Sequence, residues 1–193
     1  MTRGWRTALW GGLIALMSVV VGLLLAVPPG GLPPPADRRP SLPEAWSGRC
    51  RRVHDGDTVT VDHGGQALAV RLDGIDCPEL KQAYGGAARS AARDLALGKV
   101  VTVRPKELDR YGRVVARVGL PDGRDLSLVM VQTGLAWWYR EHAIRDRALQ
   151  AAEEQARAAR LGLWAEREPQ PPWDYRRAMR EQESLRASGK QAP

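Results

Sequence analysis

Residues 55–79, DGDTVTVDHGGQALAVRLDGIDCPE, contain the pattern from which the core of the fold can be predicted. Two β-rich runs, 58–61 and 67–72, are separated by a polar, glycine-containing segment. This arrangement is typical of antiparallel strands joined by a short turn. Apolar residues alternate in the second run, so Arg71 is predicted to point to the opposite face from them.

Outward from this stretch, alternating or β-branched runs predict three further strands, and alanine-rich or apolar segments that end at turn residues predict three helices. The predicted strands are 51–53, 100–104 and 114–118, and the predicted helices are 86–97, 126–133 and 144–160. Five short strands, interrupted by one helix and followed by two more, predict an α+β fold with a small five-stranded β-barrel capped by three helices.

The sequence predicts four regions along the chain. An uncharged apolar run at 8–27 is long enough to cross a bilayer of roughly 30 Å, so residues 1–27 are predicted to be a signal anchor, favoured over a cleaved signal peptide. A Pro-rich linker follows at 28–47, then a domain at 48–165 and a charged tail at 166–193, either mobile or weakly helical.

The predicted location follows from the charges at the N-terminus. Arg3 and Arg6 precede the apolar run, and positively charged flanks favour the cytoplasmic side. The domain is therefore expected outside the cytoplasm, either anchored to the membrane or secreted if the segment is cleaved.

The overall charge and the cysteines leave alternatives open. A formal charge of +7 and a pI near 10.0 suit an anionic partner such as nucleic acid, but an arginine-rich composition driven by the genome explains them equally well. Cys50 and Cys77 are the two cysteines, which allows one disulfide or two free thiols.

Four clusters occur in order along the domain: DGDT at 55–58, RL at 71–72, IDCPE at 75–79 and DRYGR at 109–113. A QTGLA stretch at 132–136 and a terminal LGLW at 161–164 follow them. The combination resembles the thermonuclease, or staphylococcal nuclease-like, family over residues 54–164. The resemblance implies an OB-fold nuclease that leaves 3′-phosphates, acts on DNA or RNA and requires Ca²⁺. The sequence is silent on oligomeric state, and a monomer is the default expectation.

The resemblance also implies the site. The metal ligands would be Asp57, Asp76 and the backbone carbonyl of Cys77, and the catalytic residues would be Arg71, Glu79 and Arg113. Candidates for contacting the nucleotide are Tyr111, Tyr139 and Arg140. The segment LKQA at 80–83 is a departure, because staphylococcal nuclease has a longer, lysine-rich loop there.

These residue types suit phosphodiester hydrolysis. Its transition state gathers negative charge, which a divalent cation and fork-shaped guanidiniums stabilise. Carboxylate and carbonyl oxygens are the ligands that Ca²⁺ prefers, and Glu79, three residues after Asp76, could accept a proton from water or orient it.

Other readings of the same residues remain. Asp55 and Asp57 could simply form a turn around a glycine, Asp109 could organise the strand connection, and Trp137 and Trp138 could stack a nucleobase or pack in the core. Two further functions compete with hydrolysis. One is a noncatalytic nucleic-acid-binding OB-fold module tethered to the membrane, and the other is a tethered protein-interaction module.

Overall fold

The computed structural model describes residues 42–189. The predicted signal segment 1–27, the linker up to residue 41 and the last four residues, 190–193, lie outside the described residues. Within 42–189, none of the helices has both the length and the apolar character that a membrane span requires.

A closed five-stranded barrel forms the body of the domain, in the order β1-β2-β3-β6-β5. Neighbouring strands are antiparallel except β3 and β6, whose parallel pairing joins Arg71 to Val115. A separate two-stranded sheet pairs β4 with β7. The strands are β1 Trp46–Val53, β2 Thr58–His63, β3 Gln66–Leu72, β4 Ile75–Asp76, β5 Val100–Leu108, β6 Val114–Gly119 and β7 Trp137–Trp138. The predicted OB-fold barrel is confirmed.

The barrel closes around valine-rich strand faces. Alternate residues of β2 and β3 are fully enclosed, among them Val59, Val61, Val70 and Leu72. Because side chains alternate across a strand, this arrangement turns Arg71 outward, as the sequence predicted, toward the end of the barrel where β4 begins.

Helices cover the barrel and extend beyond it. They are α1 Gly85–Ala96, α2 Leu126–Gln132, α3 Arg140–Ala143, α4 Arg147–Ala158 and α5 Pro172–Ala187, with a 3₁₀ turn at Gly162–Ala165. Asp125 accepts a hydrogen bond from Leu128 N at the start of α2, and Asp146 accepts one from Leu149 N at the start of α4. Such side-chain caps satisfy amide groups that lack a partner within the helix.

The helices of the structure differ from the three predicted ones in two places. The predicted helix 144–160 corresponds to α4, and the short α3 precedes it. The region 166–193, predicted as a charged tail that is either mobile or weakly helical, contains the 16-residue helix α5. A proline at its first turn starts α5, because the fixed φ of proline suits that position, and aromatic contacts described below hold it against the domain.

Candidate functional site

The DGDT turn holds Asp57 against the start of the loop after β4. Asp55 Oδ1 accepts hydrogen bonds from the backbone N–H groups of Asp57 and Thr58, at 3.0 and 2.7 Å, so Asp55 is a turn former. Burial, followed by the charge of Asp57, raises the pKa of Asp55 to about 6. Asp57 is buried, and its Oδ2 accepts from Cys77 N at 2.7 Å.

Gly56 is required by this close approach. A Cβ atom at that position would lie 2.6 Å from Cys77 Sγ and 2.8 Å from Ala88 Cβ. A residue with any side chain would therefore push the turn away from the loop that follows β4.

Arg71 joins the two buried carboxylates. Its Nη2 donates to Asp76 Oδ1 at 2.8 Å, and its Nη1 lies 2.6 Å from Asp57 Oδ1. The second contact is an ion pair without hydrogen-bond geometry, and Nη1 has no hydrogen-bond partner in residues 42–189. Burial acts to lower the pKa of Arg71, but the charges of Asp57 and Asp76 outweigh it, and the pKa is raised.

Glu79 lies at the open side of this group. Its side chain is 40% exposed, and its backbone N–H donates to Gln82 Oε1 at 3.1 Å. By contrast, the side chain of Asp76 is only 2% exposed, and burial raises its pKa in spite of the arginines beside it.

Arg113 reaches the same group from the connection between β5 and β6. Asp109 fixes it, accepting from Arg113 Nε at 2.7 Å and from its backbone N at 2.9 Å. Arg113 Nη1 points to Thr58 Oγ1 at 3.4 Å, and Thr58 in turn contacts Asp57. Burial acts to raise the pKa of Asp109, but the hydrogen bonds from Arg113 outweigh it, and the pKa is lowered. Asp109 therefore organises the strand connection.

The three predicted nucleotide contacts lie in different surroundings. Tyr111 is 69% exposed and carries the Arg113 guanidinium 5.4 Å from its ring centre. Tyr139 is packed between His142 and Trp173, with ring centres 4.7 and 5.6 Å away. Arg110 also lies over the Tyr111 ring, at 4.9 Å from its centre, so this exposed ring stands beside two guanidiniums.

Arg140 and the two neighbouring tryptophans are engaged in packing. Arg140 lies over the Trp138 ring at 5.0 Å and contacts Glu153 at 3.4 Å. Trp137 and Trp138 are buried, and Trp137 packs edge-on against Trp164 at 4.4 Å. For these tryptophans, the structure favours packing in the core over stacking on a nucleobase.

Both cysteines are free and buried, so of the two alternatives the structure has separate thiols. Burial raises the pKa of Cys77 well above its usual value and also raises that of Cys50. A neutral thiol is a poor ligand for a hard cation, and the backbone carbonyl is the atom of Cys77 that suits such an ion.

The ligand atoms available at this end of the barrel are of the type that a calcium ion prefers. Asp57, Asp76 and the Cys77 carbonyl offer only oxygen atoms, which hard divalent cations prefer. In residues 42–189, no three His, Cys, Asp or Glu side chains are grouped as a ready-made metal cage. A cation here would therefore need water or phosphate oxygens to complete its coordination shell.

The family model for staphylococcal nuclease homologues matches residues 69–166. The chain belongs to the staphylococcal nuclease family. An uncharacterized endonuclease of Escherichia coli is 41% identical over 129 residues, covering 67% of this chain and 84% of the relative. A micrococcal nuclease of Shigella flexneri is 41% identical over 146 residues, covering 69% of this chain and 84% of the relative. A staphylococcal-like nuclease of Arabidopsis thaliana is 39% identical over 111 residues, covering 58% and 34%. These relatives support a nuclease function.

One residue at the site was not identified from the sequence. Arg176 of α5 lies outside the residues that the staphylococcal nuclease model matches, 69–166, yet its guanidinium contacts Asp76 and Glu79. Residues 176 and 76 are 100 positions apart, and no local pattern links them. The sequence signal that exists is the Pro-Pro-Trp start of a helix at 171–173.

Proposed function

We propose that this member of the staphylococcal nuclease family is a calcium-dependent endonuclease that hydrolyses phosphodiester bonds of DNA or RNA. The observation that carries the proposal is the convergence of Asp57, Asp76, Arg71, Glu79 and Arg113 at one end of the barrel. Relatives named as nucleases support the same reaction class.

The carboxylates would hold the cation and the water. Asp57, Asp76 and the Cys77 carbonyl would bind Ca²⁺, which when bound polarises the phosphate and lowers the pKa of water. Glu79, the most exposed carboxylate of the group, would accept the proton of the attacking water or orient that water. The attack would displace the 5′-oxygen and leave a 3′-phosphate.

The arginines would stabilise the charge that develops on the phosphate. Arg71 Nη1 is buried and forms an ion pair with Asp57 Oδ1 at 2.6 Å without hydrogen-bond geometry, so its N–H groups would favour an incoming phosphate oxygen. Arg113 is partly exposed and held in place by Asp109. Two fixed guanidiniums suit an anionic transition state because they need little reorganisation as charge develops.

The substrate would be gripped mainly through charge and stacking. The net charge of +7 attracts the phosphate backbone without sequence preference. Tyr111 offers an exposed ring beside Arg113, and stacking on an aromatic ring tolerates any base.

The proposed location is the outer side of a membrane, with residues 1–27 as anchor or signal. The support is the uncharged run 8–27, preceded by Arg3 and Arg6. In cells, the chain should sediment with membranes and be digested by protease added outside, or appear in the medium if the segment is cleaved. A chain found in the soluble cytoplasmic fraction would contradict this location.

The function is tested with the full-length chain and single-stranded DNA in Ca²⁺ or excess chelator. Cleavage should require Ca²⁺, and Glu79→Gln and Arg113→Ala should each lower kcat by about 100-fold or more. Matched controls are Glu154→Gln and Arg124→Ala, whose side chains are exposed on α4 and in the turn after β6. Binding of DNA without cleavage in any divalent cation would instead support the noncatalytic binding module.

A further inference from the structure

Helix α5 brings a third arginine to the site, where it contacts two of the carboxylates. Arg176 Nη2 donates to Asp76 Oδ2 at 2.7 Å, and its Nη1 donates to Glu79 Oε1 at 2.8 Å and lies 3.3 Å from Asp76 Oδ1. Burial acts to lower the pKa of Arg176, but its hydrogen bonds to Asp76 and Glu79 outweigh it, and the pKa is raised.

Aromatic stacking and a backbone contact hold α5 in this position. Trp173 stacks on Tyr139 with ring centres 5.6 Å apart and planes 16° apart, and its edge meets Trp137 at 5.7 Å. Just before the helix, Gln170 O accepts a hydrogen bond from Gln82 Nε2 at 2.5 Å. The start of α5 is therefore held by two contacts on the N-terminal side of Arg176.

The contact leaves no free oxygen on Asp76. Its Oδ1 is bonded to Arg71 and lies near Arg176, and its Oδ2 is bonded to Arg176. The Asp76 side chain is correspondingly 2% exposed. A divalent cation that uses Asp76 as a ligand must take one of these oxygens, and the positive charge of Arg176 beside it opposes that binding.

We propose that α5 is an autoinhibitory element in which Arg176 competes with the divalent cation for Asp76 and Glu79. Cation binding and docking of the first turns of α5 are then mutually exclusive. By linkage, release of Arg176 raises the affinity for the cation, and the cation lowers the occupancy of the docked helix to the same degree. This inference rests on the proposed function, because it takes Asp76 as a metal ligand.

The experiment measures Ca²⁺ binding to the full-length chain by isothermal titration calorimetry, without nucleic acid and at fixed ionic strength. Arg176→Gln should bind Ca²⁺ about tenfold more tightly than the unmodified chain, within the usual range of about 5–150-fold for coupled sites. Arg176→Lys keeps the positive charge but loses the fork-shaped guanidinium, so the Ca²⁺ affinity of this variant should rise less than that of Arg176→Gln. Arg177→Gln is the matched control, because Arg177 is on the same helix but pairs with Asp174, and its affinity should stay within about twofold.

A second measurement needs no variant. Hydrogen exchange of residues 172–187 in the unmodified chain should become faster when Ca²⁺ is added, because the cation displaces Arg176 and frees the first turns of α5. Slower exchange would contradict the proposal.

The outcomes separate this inference from the proposed function. If Arg176→Gln binds Ca²⁺ more weakly than Arg177→Gln, Arg176 positions the ligands and autoinhibition is wrong. If the two variants bind equally while the unmodified chain cleaves DNA in Ca²⁺, autoinhibition alone is wrong. If no variant binds Ca²⁺ and none cleaves DNA, the proposed function fails together with it.

Discussion

Replacing Arg117 with methionine should destabilise the domain, because Arg117 lies among three carboxylates of different elements. Its Nε is 3.6 Å from Asp73, its Nη1 is 3.1 Å from Asp125, and its Nη2 contacts Asp146. Asp125 and Asp146 also cap α2 and α4. In the variant, Asp73 keeps its ion pair with Lys106 at 2.9 Å. The contacts that are lost without replacement are therefore those of Asp125 and Asp146.

The magnitude follows from those two contacts. Arg117 is 26% exposed, and a hydrogen bond between partly exposed charged groups contributes about 1 kcal/mol after allowance for solvent. Two lost contacts, together with repulsion among the remaining carboxylates, should lower the free energy of unfolding by about 2–3 kcal/mol. Urea unfolding at pH 7, followed by tryptophan fluorescence, measures it.

The control is Arg124→Met, which removes a similar arginine from the exposed turn where Arg124 pairs with Asp122. Its unfolding midpoint should stay at the value of the unmodified chain. The double variant Arg117→Met with Asp146→Asn should lose less stability than the sum of the single variants, because the two residues interact. Equal midpoints for Arg117→Met and Arg124→Met would show that Arg117 does not stabilise the domain through Asp125 and Asp146.

Three further predictions concern the site and its supports. Gly56→Ala should lower both stability and Ca²⁺ affinity, since its Cβ would lie 2.6 Å from Cys77 Sγ; normal calcium titrations of the variant would contradict this. Burial raises the pKa of both Cys50 and Cys77, so a thiol reagent at pH 8 should label neither until urea unfolds the chain. Hydrogen bonds from Arg113 lower the pKa of Asp109 despite its burial. The stability that Asp109 contributes is therefore fully present above its ordinary pKa. That stability is lost as the pH falls through the lowered pKa. Asp109→Asn should therefore destabilise at pH 7 but progressively less on acidification, as acid unfolding curves would record.

The barrel could be predicted from the sequence because its signals are local. In β2 the apolar residues alternate with polar ones, in β3 the larger apolar residues alternate with alanine and arginine, and a glycine turn separates the two strands. Alternation of this kind specifies both the strand and its buried face. The ends of α1, α2 and α4 could be predicted to within a few residues for the same reason, since capping and glycine signals lie beside them.

The contacts that the sequence did not reveal depend on tertiary packing. Arg117 looks like an ordinary strand residue, and its role appears only when the starts of α2 and α4 meet on β6. Arg176 belongs to a charged segment that resembles a solvated tail. Its partners Asp76 and Glu79 are about half the chain away, and charge patterning alone assigns no partner to it.

The short segment 80–83 explains why α5 can reach the site. Staphylococcal nuclease has a longer, lysine-rich loop at this place, whereas here Gln82 bonds to the backbone of Gln170. The chain after the barrel domain thus occupies space beside Asp76 and Glu79. A cleft of about 200 Å³ remains between the two segments, lined in part by Lys81 and Tyr175. The positive charge of Arg176 sits on α5, which leaves the site under the proposed autoinhibition, whereas a loop between β4 and α1 is held at both ends. Lengthening 80–83 by several glycine and serine residues should therefore undock α5 and raise Ca²⁺ affinity even when Arg176 is intact, and calorimetry would show whether it does.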